Sequence, residues 1–145
     1  MAIIISEQSF DPWQLISQHQ ESSSLASQFG ATATFIGSMR DFNDDATVTE
    51  MVLEHYPEMT TRYLEKLESE AKQQWPIIDC LIAHRVGHIN PADAIVVIAC
   101  WSGHRRAALD ACNSLIEELK FKAPFWKKET RNDGAVWVEH NTDGS

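Results

Sequence analysis

The apolar positions change their spacing several times along the chain, and each change predicts an element. Ala2 to Ser6 is a short apolar run of strand length. Asp11-Pro12 supplies an N-cap with proline at the first helical position, and Trp13, Leu15 and Ile16 follow it, which predicts a helix to about Gln20. Ser22 to Ser24 starts a second short helical turn or a loop. Gly30 to Met39 is rich in β-branched and apolar residues and reads as a strand. The polar segment Asp41 to Asp45 ends that strand and leaves Arg40 at its end, facing a loop. Thr47 to Tyr56 alternates, with Met51 and Leu53 on one face and Glu50 and Glu54 on the other, as in a half-buried strand closed by Pro57.

Helical spacing takes over at Met59, Tyr63, Leu64, Leu67, Ala71 and Trp75, predicting an amphipathic helix over 58–75 that Pro76 stops. Ile77 to Val86 and Ala94 to Trp101 are apolar strands joined through the loop Gly87 to Asp93. The second is apolar on both faces and so belongs at the centre of a sheet. Ser102-Gly103 leads into a helix whose inward stripe is Ala108, Cys112, Leu115 and Leu119, ending before Pro124. Phe125 to Thr130, the turn at Asn132-Asp133-Gly134, and Ala135 to His140 form a C-terminal hairpin. Strands interrupted by helices, with no repeat or dividing linker, predict one α+β domain over residues 1–145.

Composition narrows the function. The longest apolar run is far below the roughly 20 residues of a membrane span, and the N-terminus lacks the basic region of a secretory signal, so a cytoplasmic protein is expected. The three cysteines, Cys80, Cys100 and Cys112, lie inside apolar segments without CxxC spacing and read as buried, reduced thiols. A formal net charge of −9 argues against nucleic-acid binding. Between His104 and Arg131, however, seven basic residues stand against four acidic ones. That local reversal suits a small anionic ligand, although a solvated lysine face has the same composition.

Two stretches carry candidate chemistry. Ser102-Gly103-His104-Arg105-Arg106 puts free backbone N–H groups and two guanidinium groups at a helix start, a phosphate-binding arrangement; simple capping by Ser102 is the plainer alternative. From Lys120 to Lys128, lysines alternate with Phe121, Phe125 and Trp126 around Pro124. Apolar walls and neighbouring cations lower a lysine's proton affinity, which makes Lys120 and Lys127 candidates for base or nucleophile, while a helix C-terminus acts on Lys120 in the opposite sense. His55, His84 and His88 form no recognisable metal motif, and no metal or cofactor is expected. Arg40 either reaches a ligand or pairs with Asp41, Asp44 or Asp45.

The sequence resembles a family. Thr34-Phe35-Ile36-Gly37 with Arg40, Leu53 to Pro57, His84-Arg85-Val86-Gly87, His104-Arg105, the run Lys120 to Glu129 around Ala123-Pro124-Phe125-Trp126, and Trp137-Val138-Glu139 together look like the catalytic, large subunit of molybdopterin synthase. The resemblance covers residues 30 to 140 and implies an α/β-hammerhead-like core, a mixed sheet with packed helices. It implies conversion of cyclic pyranopterin monophosphate to molybdopterin, with sulfur from the C-terminal glycine thiocarboxylate of a small ubiquitin-like carrier subunit. By the same resemblance this chain is expected to be the acceptor side of that pair, and its Asp143-Gly144-Ser145 differs from the terminal Gly-Gly of a carrier. Lys120 and Lys127 match the catalytic lysines, and Arg40, His104, Arg105 and Lys128 match substrate-binding positions. Lys122 and Arg106 are supporting charges. Some relatives carry an arginine where this chain has Asn141, so one phosphate contact is either missing or moved to His140, and alanine where it has Gly103.

Helix length adds a constraint of its own. Sixteen steps from His104 to Lys120 at about 1.5 Å put the ends roughly 24 Å apart, too far for one small substrate. The expectation is a homodimer, within a heterotetramer, whose site combines His104 and Arg105 of one subunit with Lys120, Lys127 and Arg40 of the other. Two readings compete with this one: a non-enzymatic module that uses the same basic cluster to bind a phosphorylated metabolite or partner tail, and a metal hydrolase built on His55, His84 and His88.

Overall fold

The computed structural model describes residues 2–122 and 124–138. The predicted α+β class holds, and the strands divide between two sheets. The first contains β1 (Ala2–Ser6), β2 (Ala31–Ser38), β5 (Ile77–Arg85) and β7 (Ala94–Ser102), in the order β1-β5-β7-β2. β1 runs parallel to β5, and the other pairs are antiparallel. β7 is central, as its two apolar faces require: Val96, Ile98 and Cys100 alternate with Val97, Ala99 and Trp101, and all six are buried.

Those two faces are covered by different helices. α2 (Pro57–Gln74) and α3 (Arg105–Lys122) bury Leu64, Leu67, Ala71, Ala108, Cys112, Leu115 and Leu119 against Cys80, Ile82, Val96 and Ile98. The Tyr63 hydroxyl donates to the Glu118 carbonyl at 2.9 Å and ties the two helices. α1 (Pro12–Ser22) covers the opposite face, where Leu15 and Ile16 meet Leu81, Ala99 and Trp101. It begins as expected, with the Asp11 carboxylate accepting from the N–H groups of Trp13 and Gln14. The serine segment after α1 leads to one 3-10 turn, Ala26–Gln28.

The second sheet holds β3 (Phe42–Asn43), β4 (Ala46–His55), β6 (Gly87–Ile89), β8 (Phe125–Arg131) and β9 (Gly134–Val138). β8 and β9 form the predicted C-terminal hairpin; Glu139 and His140, expected to extend it, lie outside the described residues, as does Asn141. Two of these strands fall in segments expected to be loops. β3 forms a tight hairpin with β4 because Asp44 and Asp45 adopt φ of 49° and 63°, the left-handed pair of a two-residue turn that aspartate tolerates. β6 becomes possible because Gly87, at φ 79°, redirects the chain from the first sheet to pair with Met51 to Leu53. A register shift between Val48 and Glu50 lets Val48 and Met51 both face inward although they are three residues apart. They form a second core with Met39, Leu53, Val86 and Ile89.

The three cysteines are free and buried, as read from their apolar surroundings. Among the described residues no helix is long and apolar enough to cross a membrane.

Candidate functional site

The last turn of α3 and the inward face of β8 meet where the two sheets join. α3 is one continuous helix, so its C-terminal end carries Lys120 to the ends of β2 and β7. β8 pairs with β4 on one side, Lys127 opposite Leu53, and with β9 on the other, Lys127 opposite Val138. The two-residue period of β8 points Phe125, Lys127 and Glu129 to one face and Trp126, Lys128 and Thr130 to the other. A pocket of about 360 Å³ results, lined by Lys120, Lys127, Arg40 and Glu129 together with Phe35, Gly37 and Met39 of the β2 end.

Its electrostatics follow from crowding cations into a partly dry site. Burial first, then the charges of Lys127 and Arg40, lower the Lys120 pKa from 10.5 to about 8. All three act in the sense opposite to the effect expected of the helix C-terminus. Lys127 is lowered by burial and by Arg40, against the attraction of Glu129, which raises it. The Arg40 guanidinium lies over the Phe42 ring at 4.6 Å, and among the described residues it forms no ion pair with Asp41, Asp44 or Asp45. Asp44 instead approaches Arg131 at 3.6 Å.

Glu129 was missed in the sequence reading. It is buried, and its Oε1 accepts from Asn43 Nδ2 and Arg131 Nη2, both at 2.9 Å. It thus fixes β8 against the β3 hairpin while presenting negative charge to Lys127. The signal was present in the alternation of β8, which puts Glu129 on the Lys127 face. His84 carries part of the family resemblance but has no role in the sequence reading other than that of a possible metal ligand. It too is buried and lines a narrow extension of about 30 Å³ with Lys120, Lys127, Leu53, Ile95 and Phe125.

The remaining candidates go elsewhere. His104 and Arg105 are exposed at the other end of α3, and fifteen steps from Arg105 to Lys120 span roughly 22 Å. Within one chain they do not share the lysine pocket. The Ser102 hydroxyl donates to the His104 carbonyl instead of capping a free N–H. Lys128 sits on the opposite face of β8, its ammonium 5.7 Å from the Trp137 ring centre, so strand alternation separates it from Lys127. Lys122 pairs with Glu118 at 3.0 Å. The three histidines of the hydrolase reading have separate partners: His55 contacts Thr60, His84 the Arg85 carbonyl, and His88 Glu50. Among the described residues no three His, Cys, Asp or Glu side chains gather as a metal site.

Three comparisons bear on this arrangement. The MoaE protein family model matches residues 5–122. A molybdopterin synthase catalytic subunit of Pseudomonas aeruginosa is 46% identical over 96% of this chain and 91% of its own length. A molybdopterin biosynthesis MoaE protein from Burkholderia ambifaria superposes with a TM-score of 0.80 at 42% identity, covering 99% of this chain and 94% of the other. The fold also matches a complex of subunits 1 and 2 of molybdopterin-converting factor from Helicobacter pylori, with a TM-score of 0.79 at 23% identity, over 99% and 96% of the two chains.

Proposed function

This chain belongs to the MoaE family of molybdopterin synthase catalytic subunits, and on that premise we propose that it transfers sulfur to cyclic pyranopterin monophosphate to form molybdopterin. The donor is the C-terminal glycine thiocarboxylate of a small ubiquitin-like partner. The observation that carries this reading is the convergence of Lys120, Lys127 and Arg40 on one pocket, with the Lys120 pKa lowered to about 8. Such an amine is neutral in an appreciable fraction near neutral pH, so it can take or give a proton as an acyl sulfur is released. Arg40 suits the substrate phosphate. The partner assignment follows the family resemblance; the Helicobacter pylori assembly is a two-subunit complex.

His104 and Arg105 enter the same reaction across a homodimer, each supplying phosphate contacts to the lysine pocket of the other subunit, and two carriers complete a heterotetramer. Lys128, outside the pocket of its own chain, acts as a substrate contact only through such an assembly. The reaction runs in the cytoplasm, where reduced thiols such as Cys80, Cys100 and Cys112 persist.

The test is incubation of the purified chain with a cognate thiocarboxylated carrier and cyclic pyranopterin monophosphate, with detection of the dithiolene product. Product is expected; none from intact protein sinks the reading. Mixed dimers of inactive Lys120→Ala and His104→Ala chains should regain part of the activity, since one of the two sites is then intact. No recovery in verified mixed dimers rejects the composite site.

A further inference from the structure

His84 stands outside the chemistry assigned above, yet its surroundings are specific. β5 alternates Cys80, Ile82 and His84 on the face that α2 and α3 cover, so the imidazole is carried to the C-terminal end of α3. One ring face stacks on Phe125, with centroids 4.1 Å apart and planes within 15°. Nδ1 lies 2.7 Å from the Arg85 carbonyl oxygen. A carbonyl only accepts, so Nδ1 must carry the proton and Nε2 is left with its lone pair. The cavity that His84 lines with Lys120 and Lys127 has space for about one water, so an amine there meets Nε2 directly or through a single molecule.

The groups facing the ring are Lys120 from α3, Lys127 from β8 and His55 from β4; its partners across the sheet, Ile5 and Val96, are apolar. Burial, followed by the charges of Lys120 and Lys127 and by His55, lowers the His84 pKa to about 3 against the Arg85 hydrogen bond, which favours the charged ring. The imidazole is therefore neutral at any working pH. Lys120 has the larger of the two lysine effects on it.

We infer that His84 is a positioning residue for Lys120, a neutral acceptor whose Nε2 holds the amine in the pocket without supplying a counter-charge. A carboxylate in this position would orient the amine equally well but would hold it as ammonium. A neutral acceptor orients it and leaves its proton available. The inference rests on the reading of Lys120 as a reacting amine, but the contact itself is measurable without any reaction.

The experiment is a ¹⁵N titration of the His84 ring in the intact protein between pH 6 and 10. The Nε2 resonance is expected to move with an inflection at the Lys120 pKa while Nδ1 stays protonated. The inflection should vanish in Lys120→Met and persist in Lys127→Met. A flat Nε2 titration, or one unaffected by Lys120→Met, overturns the inference. Activity provides the second readout. His84→Phe, which retains the ring and its stacking, should lower kcat about ten-fold with KM within two-fold, and should move the acid limb of the pH profile down by about one unit, because the ammonium loses an acceptor. His84→Gln, which retains a neutral acceptor, should recover most of kcat and return the limb to its place. Wild-type kcat and pH profile in a folded His84→Phe protein overturn the inference. If the wild type makes no product while Nε2 still reports Lys120, the sulfur-transfer reading fails and the contact stands.

Discussion

Lys120 and Lys127 are seven positions apart in sequence, yet they reach one pocket from elements of opposite character, the last turn of α3 and an inward position of β8. The chain must end a helix, pass Pro124 and enter a strand with the correct phase for both amines to converge. A shift of one residue in β8 would bring Lys128 to the pocket and send Lys127 to solvent.

That convergence predicts how the two amines respond to removal. Lys120→Ala and Lys127→Ala should each lower turnover by about 10²-fold or more, the usual scale for a lost proton-transfer group, while circular dichroism and carrier binding stay unchanged. A pure binding module would instead lose affinity in proportion to charge. Steady-state kinetics beside a binding isotherm separates the two.

The lowered Lys120 pKa also has a stability consequence of definite sign. Between about pH 8 and 10.5 the unfolded chain holds a proton on this amine that the folded chain has lost. Stability contributed through Lys120 therefore rises with pH across that window, and the full penalty applies below pH 8. Its size is of order 3 kcal/mol, from 1.36 kcal/mol per pKa unit. Lys120→Met should accordingly be more stable than wild type at pH 7, with the difference shrinking toward pH 10.5, in urea unfolding at both values. Equal stability at pH 7 would contradict a desolvated ammonium.

On the other side of the first sheet, His19 Nε2 lies 2.8 Å from Asp79 Oδ2, the imidazole stacks on Trp101 at 5.0 Å, and Asp79 Oδ1 accepts from the Cys80 N–H. Burial acts to raise the Asp79 pKa, but its hydrogen bonds, that of His19 among them, outweigh it and leave the value below 3.8. A lowered carboxylate pKa contributes stability above the unfolded value, lost as pH falls through the folded one. Asp79→Ala should cost about 1–3 kcal/mol at pH 7, because a buried N–H loses its acceptor, and the cost should shrink below pH 3.8. Chemical denaturation along that series measures it.

Gly30 has a steric task rather than a conformational one. A Cβ there would lie 2.1 Å from the Gly103 carbonyl oxygen, where β2 begins beside the entry to α3. Gly30→Ala should therefore destabilise the fold by about 1–3 kcal/mol and displace His104 and Arg105. Urea unfolding should register the first effect, and weaker substrate phosphate binding with unaltered carrier binding the second.

Most of the elements were readable because their signals are local. Asp11-Pro12 starts a helix wherever it occurs before an amphipathic run, and the phase of Leu64, Leu67 and Ala71 is a property of 18 consecutive residues. The two short strands were not readable, since β3 depends on a left-handed pair at Asp44 and Asp45, and β6 is a strand only because β4 lies beside it. The site divides in the same way. Lys120 and Lys127 stand out by their apolar and cationic neighbours and Arg40 by its place at a strand end, and alternation alone puts Glu129 with Lys127 and Lys128 against it.

The sequence by itself determined the class of fold, the helix that separates His104 from Lys120, and the basic run that holds Lys120 and Lys127. Tertiary structure alone decided that Glu129 meets Asn43 across 86 positions, that His19 meets Asp79 across 60, and that His84 shares a cavity with Lys120. It also decided the surroundings of Lys120, where burial and two cations lower the pKa. The physical reason is range. Periodicity and capping act over a few residues, whereas desolvation and charge act over a few ångströms between residues that only the folded chain brings together.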